Sequence, residues 1–257
     1  MRIAIVGFGP KGLFALERLL DHATALSSHH ALAVDLFEPD PNPGAGPNYG
    51  REQPAYLRMN FAADQIDMWW PHTHAVPRSV QRSFVRWRSS RIATTSADAY
   101  PPRAQVGHYL SEGFEALLRH APRAVTVRLR ATVVEAVCAN GTAWDVHAGG
   151  SLVGTYDEVL LATGHVPTSP SDLTHRWMHA AALVPRVFPV ERWLTADELA
   201  PGAITAIRGF GLTFMDAAIA LSEGRGGTFR PTGHPYRLTY APSGDEPRLI
   251  VPFARSG

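Results

Sequence analysis

Lysine and cysteine are almost absent from this 257-residue chain, each occurring once, as Lys11 and Cys138. A lone cysteine excludes an intramolecular disulfide and a redox-active cysteine pair, and it fits a reducing compartment. Arginine takes the place of lysine. Together the two number 24 against 23 acidic residues, and the net charge of +1 offers no field for nucleic acid or an acidic membrane. No apolar run approaches the roughly 18 residues of a membrane span. The chain passes from Met1 straight into an apolar stretch, with no room for a charged leader and cleavage site, so a cytoplasmic protein is expected. His72 and His74 form an H-x-H pair, but no third ligand stands at metal-binding spacing and no metal is expected. Neither a Ser-His-Asp set nor a carboxylate pair is legible.

What is present is concentrated at the start. Ile3–Val6 is a short, continuous apolar run, as in a parallel strand buried on both faces. Gly7, Gly9 and Gly12 follow at G-x-G-x-x-G spacing, and Leu13, Leu16 and Leu20 then recur at helical spacing. Strand, glycine turn and helix in that order form the context that gives the motif meaning. Gly7 suits the tight turn, Gly9 lets backbone approach a pyrophosphate, and Gly12 lets helix and strand pack closely. Pro10 and Lys11 open the helix whose free N–H groups would receive the phosphates. A second strand, 31–38, ends in Glu38, where a ribose needs an acceptor. Glu38 lies 26 residues after Gly12, against a usual spacing of about 20, and a turn at 27–30 accounts for the extra length.

The length allows one large domain or two small ones. After Glu38, the stretch 39–50 is too rich in proline and glycine for a regular element; Gly44 and Gly46 suit backbone lying against a flat ring. The segment 51–102 reads as an insertion, with Arg82 and Arg86 at i, i+4 on a solvated helix face. A helix is predicted over 106–119. Strands at 125–137, 142–147 and 151–155, divided by Asn140-Gly141 and Gly149-Gly150, predict a β-meander over 125–156. A further apolar strand ends at Thr163-Gly164, and 166–200 reads as a connector. A second strand–glycine–helix unit starts near 203, with Gly209, Gly211 and Thr213 at its turn and Gly224 closing its helix. Its third fingerprint glycine is missing. The expected architecture is α/β: residues 1–200 as a Rossmann-like domain carrying the insertion and the meander, and 201–257 as the start of a second nucleotide-binding unit.

These blocks together resemble the FAD-NAD(P)-binding family of bacterial flavoproteins, relatives of the N-hydroxylating and flavin-containing monooxygenases. The resemblance is carried by 4–13, Phe37-Glu38-Pro39, Gly44-Ala45-Gly46, Met59-Asn60, Pro101-Pro102-Arg103 with 107–110, 161–165, 208–212 through 224–227, and 240–249. It implies FAD on the first unit, with Gly7, Gly9 and Gly12 at the pyrophosphate, Glu38 at the ribose and Thr163-Gly164 closing over the cofactor. It implies NAD(P)H on the second unit and a flavin-facing role for Asn60. Family members continue past the point matching Gly257, so the resemblance implies a chain lacking the C-terminal part, with exposed apolar surface that would favour a homo-oligomer.

The resulting expectation is an NAD(P)H-dependent flavin oxidoreductase, a monooxygenase on a small molecule. The alternative is a non-catalytic FAD/NAD(P)-binding module. For the reductant, the end of the second strand of a dinucleotide unit decides. With that strand at 236–240, Ser243 and Arg248, aided by Arg225, would favour the 2′-phosphate of NADPH, against the nearby Asp245 and Glu246.

Overall fold

The computed structural model describes residues 1–25, 31–91, 100–164, 172–177, 183–234 and 237–254; the expected turn at 27–30 lies outside them. The chain forms two compact units, Met1–Gln53 with Met59–Val166, and Pro54–Arg58 with Pro167–Gly257. The division therefore falls well before residue 200. Val190 and Leu194 pack with Ala217 and Leu221 of the second unit, because their apolar faces are needed to bury its helix.

In the first unit, β1 (Arg2–Val6), α1 (Pro10–Ala23) and β2 (Leu32–Phe37) follow one another as the periodicity predicts. Next come α2 (Phe84–Ser89), α3 (Arg103–His120), β3 (Val125–Arg130), β4 (Ala136–Asn140), β5 (Ala143–Ala148), β6 (Ser151–Tyr156) and β7 (Glu158–Leu161). A four-stranded parallel sheet runs in the order β3-β2-β1-β7. That is the strand order of a dinucleotide-binding half, with the topological switch between β1 and β7. Strand alternation assigns its two faces. Ile5, Val34 and Leu36 pack with Leu13, Leu16 and Leu20 of α1 and with Phe114 and Leu117 of α3. Ala4, Val6 and Phe37 point the other way, onto Val146 and Tyr156 of the meander. Leu13, Leu16 and Leu20 are fully buried, each removal from water contributing roughly 1.5–3 kcal/mol.

Two expectations are corrected here. The stretch 125–137 is two strands: β3 joins the parallel sheet beside β2, and the antiparallel meander comprises only β4, β5 and β6. Arg82 precedes α2, so Arg82 and Arg86 share no helix face.

A buried cluster ties the meander to the sheet. The Tyr156 hydroxyl donates to Asp35 Oδ2 at 2.7 Å, and Arg130 from β3 reaches the same oxygen at 3.1 Å. Burial and then the Asp35 carboxylate push the Tyr156 hydroxyl up to about 12, so it stays a donor at neutral pH.

The second unit holds α4 (Asp172–Trp177), α5 (Val190–Trp193), β8 (Ile204–Arg208), α6 (Leu212–Ala220), β9 (Thr228–Pro231), β10 (Leu238–Ala241) and β11 (Leu249–Phe253). Here β8 pairs in parallel with β11, while β9 and β10 form an antiparallel pair of their own. The buried stripe of α6 is Ala217, Ala220 and Leu221. After α6 a 3-10 turn, Glu223–Arg225, intervenes, and Gly226 (φ +91°) takes the left-handed cap expected at Gly224.

Tyr156→Phe should lower unfolding free energy by about 1–3 kcal/mol, the cost of leaving a buried carboxylate short of a donor. Urea denaturation of the full chain checks this; an unchanged midpoint would show that Arg130 alone satisfies Asp35.

Candidate functional site

Most of the first unit's expected site residues meet at the carboxyl ends of β1, β2 and β7. Gly7 leaves β1 with φ +84°, and a Cβ on it would stand 2.6 Å from the Ala162 carbonyl oxygen. Gly12 faces the Gly7 carbonyl oxygen, 2.6 Å from where its Cβ would be. These two glycines are required by the protein itself. Gly9 is different. Its backbone is extended (φ −79°, ψ −162°), and the nearest atom to an added Cβ is Gly46 Cα at 3.9 Å. The protein does not need glycine at this position for its own packing, so the face over Gly9 is open to something else.

Gly9 is also the N-cap of α1, and no side chain caps that end. Pro10 occupies the first helical position and the first turn carries no acid, while Lys11 places a cation there. A cation in the first turn opposes the helix dipole, whereas an anion bound at the free N–H groups would reconcile the two.

Glu38 follows β2 and is 8% exposed. Its Oε2 accepts the Phe8 N–H at 2.6 Å, and its Oε1 accepts the Asp40 N–H at 3.0 Å. The carboxylate so holds the glycine turn from below and retains lone pairs for a ribose. The Gly44 N–H donates to the Phe8 carbonyl at 2.6 Å, and Gly46 (φ +63°) lies against Gly9, a Cβ on it falling 3.2 Å from Gly9 Cα. Thr163 and Gly164 sit exposed at the end of β7 beside Gly7; His165 lies outside the described residues. Asn60 is an exposed residue next to Met59, whose N–H bonds the Pro101 carbonyl. Among the described residues, no hydrogen bond joins Asn60 to the glycine turn.

In the second unit, Gly209 (φ +105°) and Gly211 form an open turn between β8 and α6, and among the described residues no atom beyond the chain neighbours comes within 4 Å of an added Cβ at either. Gly211 is the N-cap of α6, again without a side-chain cap, so Thr213 stands inside the first turn and does not cap it. The placement of Ser243 and Arg248 is corrected. Residue 236 lies outside the described residues, and the strand expected at 236–240 is β10, which pairs with β9. Ser243 instead closes a local turn, donating Oγ to the Arg225 carbonyl at 2.7 Å and N–H to Glu246 at 2.7 Å. Glu246 is held down at about 2 by the Tyr240 hydroxyl and by the Ser243 and Gly244 N–H groups. Arg225 donates to the carbonyls of Asp245, Leu194 and Thr195, which commits both terminal nitrogens of its guanidinium. Arg248 precedes β11, whose register runs from Leu249 opposite Ile204 to Phe253 opposite Arg208. Five residues at about 3.3 Å each separate it from the glycine end of β8.

A family model described as FAD-NAD(P)-binding matches residues 4–166. The chain belongs to the FAD-NAD(P)-binding family. The matched span coincides with the first compact unit, and FAD and NAD(P) are the family's cofactors. An L-aspartate N-monooxygenase (nitrosuccinate-forming) of Streptomyces cremeus is 34% identical across 98% of this chain and 41% of its own length. A nitrosuccinic acid synthase of Aspergillus oryzae is 32% identical across 97% of this chain and 39% of its own. The chain thus spans about two fifths of the length of the curated relatives it matches. Among solved structures, Tmm from Pelagibacter sp. shares the fold with a TM-score of 0.52 at 14% identity, over 98% of this chain and 60% of that one.

Sequence reasoning passed over Phe8, Asp40, Asn42 and Arg51, which shape the same turn. For Asp40 and Asn42 the sequence signal was the x-P-D-P-N-P composition of a turn. Among the described residues no group of three or more His, Cys, Asp or Glu is placed to hold a metal, and no helix is long and apolar enough to cross a membrane.

The two turn glycines should separate experimentally. Gly7→Ala should destabilise by about 1–3 kcal/mol from backbone conformation alone, plus the collision with Ala162. Gly9→Ala should leave stability within about 0.5 kcal/mol of the parent. Thermal unfolding of cofactor-free protein tests both; equal losses would contradict the open face at Gly9.

Proposed function

We propose that this chain is the cofactor-binding part of an FAD-dependent, NAD(P)H-consuming monooxygenase that hydroxylates the nitrogen of a small amino acid, with L-aspartate the first substrate to test. The observation that carries the proposal is the open face over Gly9, beside the uncapped N-terminus of α1 and opposite Gly46. A Cβ would project into that face, and among the described residues the nearest atom to it is Gly46 Cα at 3.9 Å. The relatives' names supply the reaction class and the amino acid.

In this reading the N–H groups of Lys11 and Gly12 and the Lys11 ammonium hold the pyrophosphate of FAD. Glu38 accepts from the ribose while fixing Phe8, and Gly44-Ala45-Gly46 presents backbone rather than side chains to the cofactor. Thr163 and Gly164 border the same cleft, and Asn60 is the proposed flavin-facing side chain. The Gly209–Gly211 turn and the first turn of α6 hold the phosphates of NAD(P)H. When bound, FAD would supply the redox chemistry and NAD(P)H the reducing equivalents, while the residues named above would hold and orient the two dinucleotides.

Purified wild-type protein should carry flavin absorbance, bleach anaerobically with NADPH, and consume NADPH faster when L-aspartate is added. Gly9→Ala should weaken FAD by at least about tenfold while remaining folded. Full flavin in Gly9→Ala would refute the site. A flavin band that NADPH leaves unchanged would favour the alternative, a non-catalytic binding module.

For the choice of reductant, β11 pairs in parallel with β8 and ends at Phe253, and the end of that strand is where this reading puts the 2′-position of the nucleotide.

A further inference from the structure

The loop that faces Gly9 owes its shape to a chain of side-chain bonds. From Glu38, which holds the Phe8 N–H, the chain passes to Asp40, whose N–H donates to Glu38 Oε1 at 3.0 Å. Asp40 Oδ1 accepts both the backbone N–H of Asn42 at 2.8 Å and its Nδ2 at 3.1 Å. Asn42 Oδ1 accepts Arg51 Nε at 3.0 Å, and its carbonyl accepts the N–H groups of Ala45 at 3.1 Å and Gly46 at 2.8 Å. Asn42 is 8% exposed, and every polar group on it except the lone pairs left over is in use.

We propose that Asn42 and Asp40 are positioning residues that hold Gly46 against Gly9 and so set the width of the cleft that receives the dinucleotide. This rests on the assignment of that cleft to FAD. The chemistry fixes the residue types. Position 42 must donate to a carboxylate and accept from a guanidinium at once, which an amide side chain does with two separate atoms, Nδ2 and Oδ1. Position 40 must accept two N–H groups from one neighbour, which suits a carboxylate. An aspartate at 42 would keep the Arg51 bond but set two carboxylates about 3 Å apart, and like charges so close repel.

The test is an exchange of donor and acceptor in the full chain. Asn42→Asp should weaken FAD, measured by quenching of flavin fluorescence, by about tenfold or more. The double variant Asp40→Asn/Asn42→Asp returns an amide–carboxylate pair but not the second bond that Asp40 Oδ1 accepts, so it should recover part of the loss and bind FAD at least about threefold tighter than Asn42→Asp. In cofactor-free protein, hydrogen exchange at the Gly44 and Gly46 amides should speed up in Asn42→Asp and slow again in the double variant. Wild-type FAD affinity in Asn42→Asp overturns the proposal, as does a double variant no better than the single one, which would mark general destabilisation. If wild-type protein takes up no FAD, the cofactor assignment fails by itself. The exchange rates then decide the positioning claim, and unchanged rates overturn it.

Discussion

Everything at the cleft depends on the close approach of Gly7 to Ala162. β1 is hydrogen-bonded on both sides, to β2 and β7, and each neighbour continues one bond beyond the strand: Gly7 N–H to the Phe37 carbonyl at 2.9 Å and Ala162 N–H to the Val6 carbonyl at 2.8 Å. The chain must then turn away above β7 without striking it. A residue with a Cβ would need a rare backbone conformation and would press on the Ala162 carbonyl as well. Glycine removes both obstacles, and the turn can deliver the N-terminus of α1 to the switch point between β1 and β7, where an open sheet binds its ligands.

The two buried carboxylates at and near this point each receive two donors. Burying Glu38 as a carboxylate would be costly without donors, and Phe8 and Asp40 supply two backbone N–H groups. Those bonds also spare the α1 N-terminus from being capped by Glu38, which leaves the first-turn N–H groups of the helix available. On the opposite face, Asp35 solves the same problem differently, with a phenol and a guanidinium. Two acids three residues apart on β2 and its end therefore do unlike work. Asp35 joins the meander to the sheet, and Glu38 shapes the cleft.

The readable part of the fold was local. Glycine spacing, the apolar run of β1 and the leucine period of α1 each occupy a few residues, and each has a stereochemical cause that acts within that window. Strand partners were less legible. Val125–Arg130 has the composition of a hairpin strand, and only its pairing with Leu32–Phe37, across some ninety residues, places it in the parallel sheet. The same limit misplaced Ser243 and Arg248: β10 looks like the return strand, yet it folds onto β9, and β11 pairs with β8. Arg82 failed for another reason, because a two-residue coincidence at i, i+4 cannot say where a helix begins. Of the cleft itself, the glycines and Glu38 were legible, while Asp40 and Asn42 were not, since a turn-forming residue and a positioning residue look alike in composition.

The loop after β2 is fixed from its far side as well, and this bears on how rigid the cleft can be. A Cβ on Gly107 of α3 would collide with the carbonyl oxygen of Tyr49, and one on Gly113 would collide with the sulfur of Met68. Glycine inside a helix costs roughly 0.5–1 kcal/mol relative to alanine, and α3 carries two. In return the loop residue Tyr49 and Met68 lie directly on the helix backbone, and Met68 becomes a buried member of the main core. The stretch Gly44–Tyr49 is therefore held between two close backbone contacts, Gly46 on Gly9 and Tyr49 on Gly107. A loop so clamped has little freedom to adapt its width to a ligand. Under the proposed assignment, selectivity for a thin, anionic cofactor segment would follow from packing already present in this fold rather than from closure around the ligand.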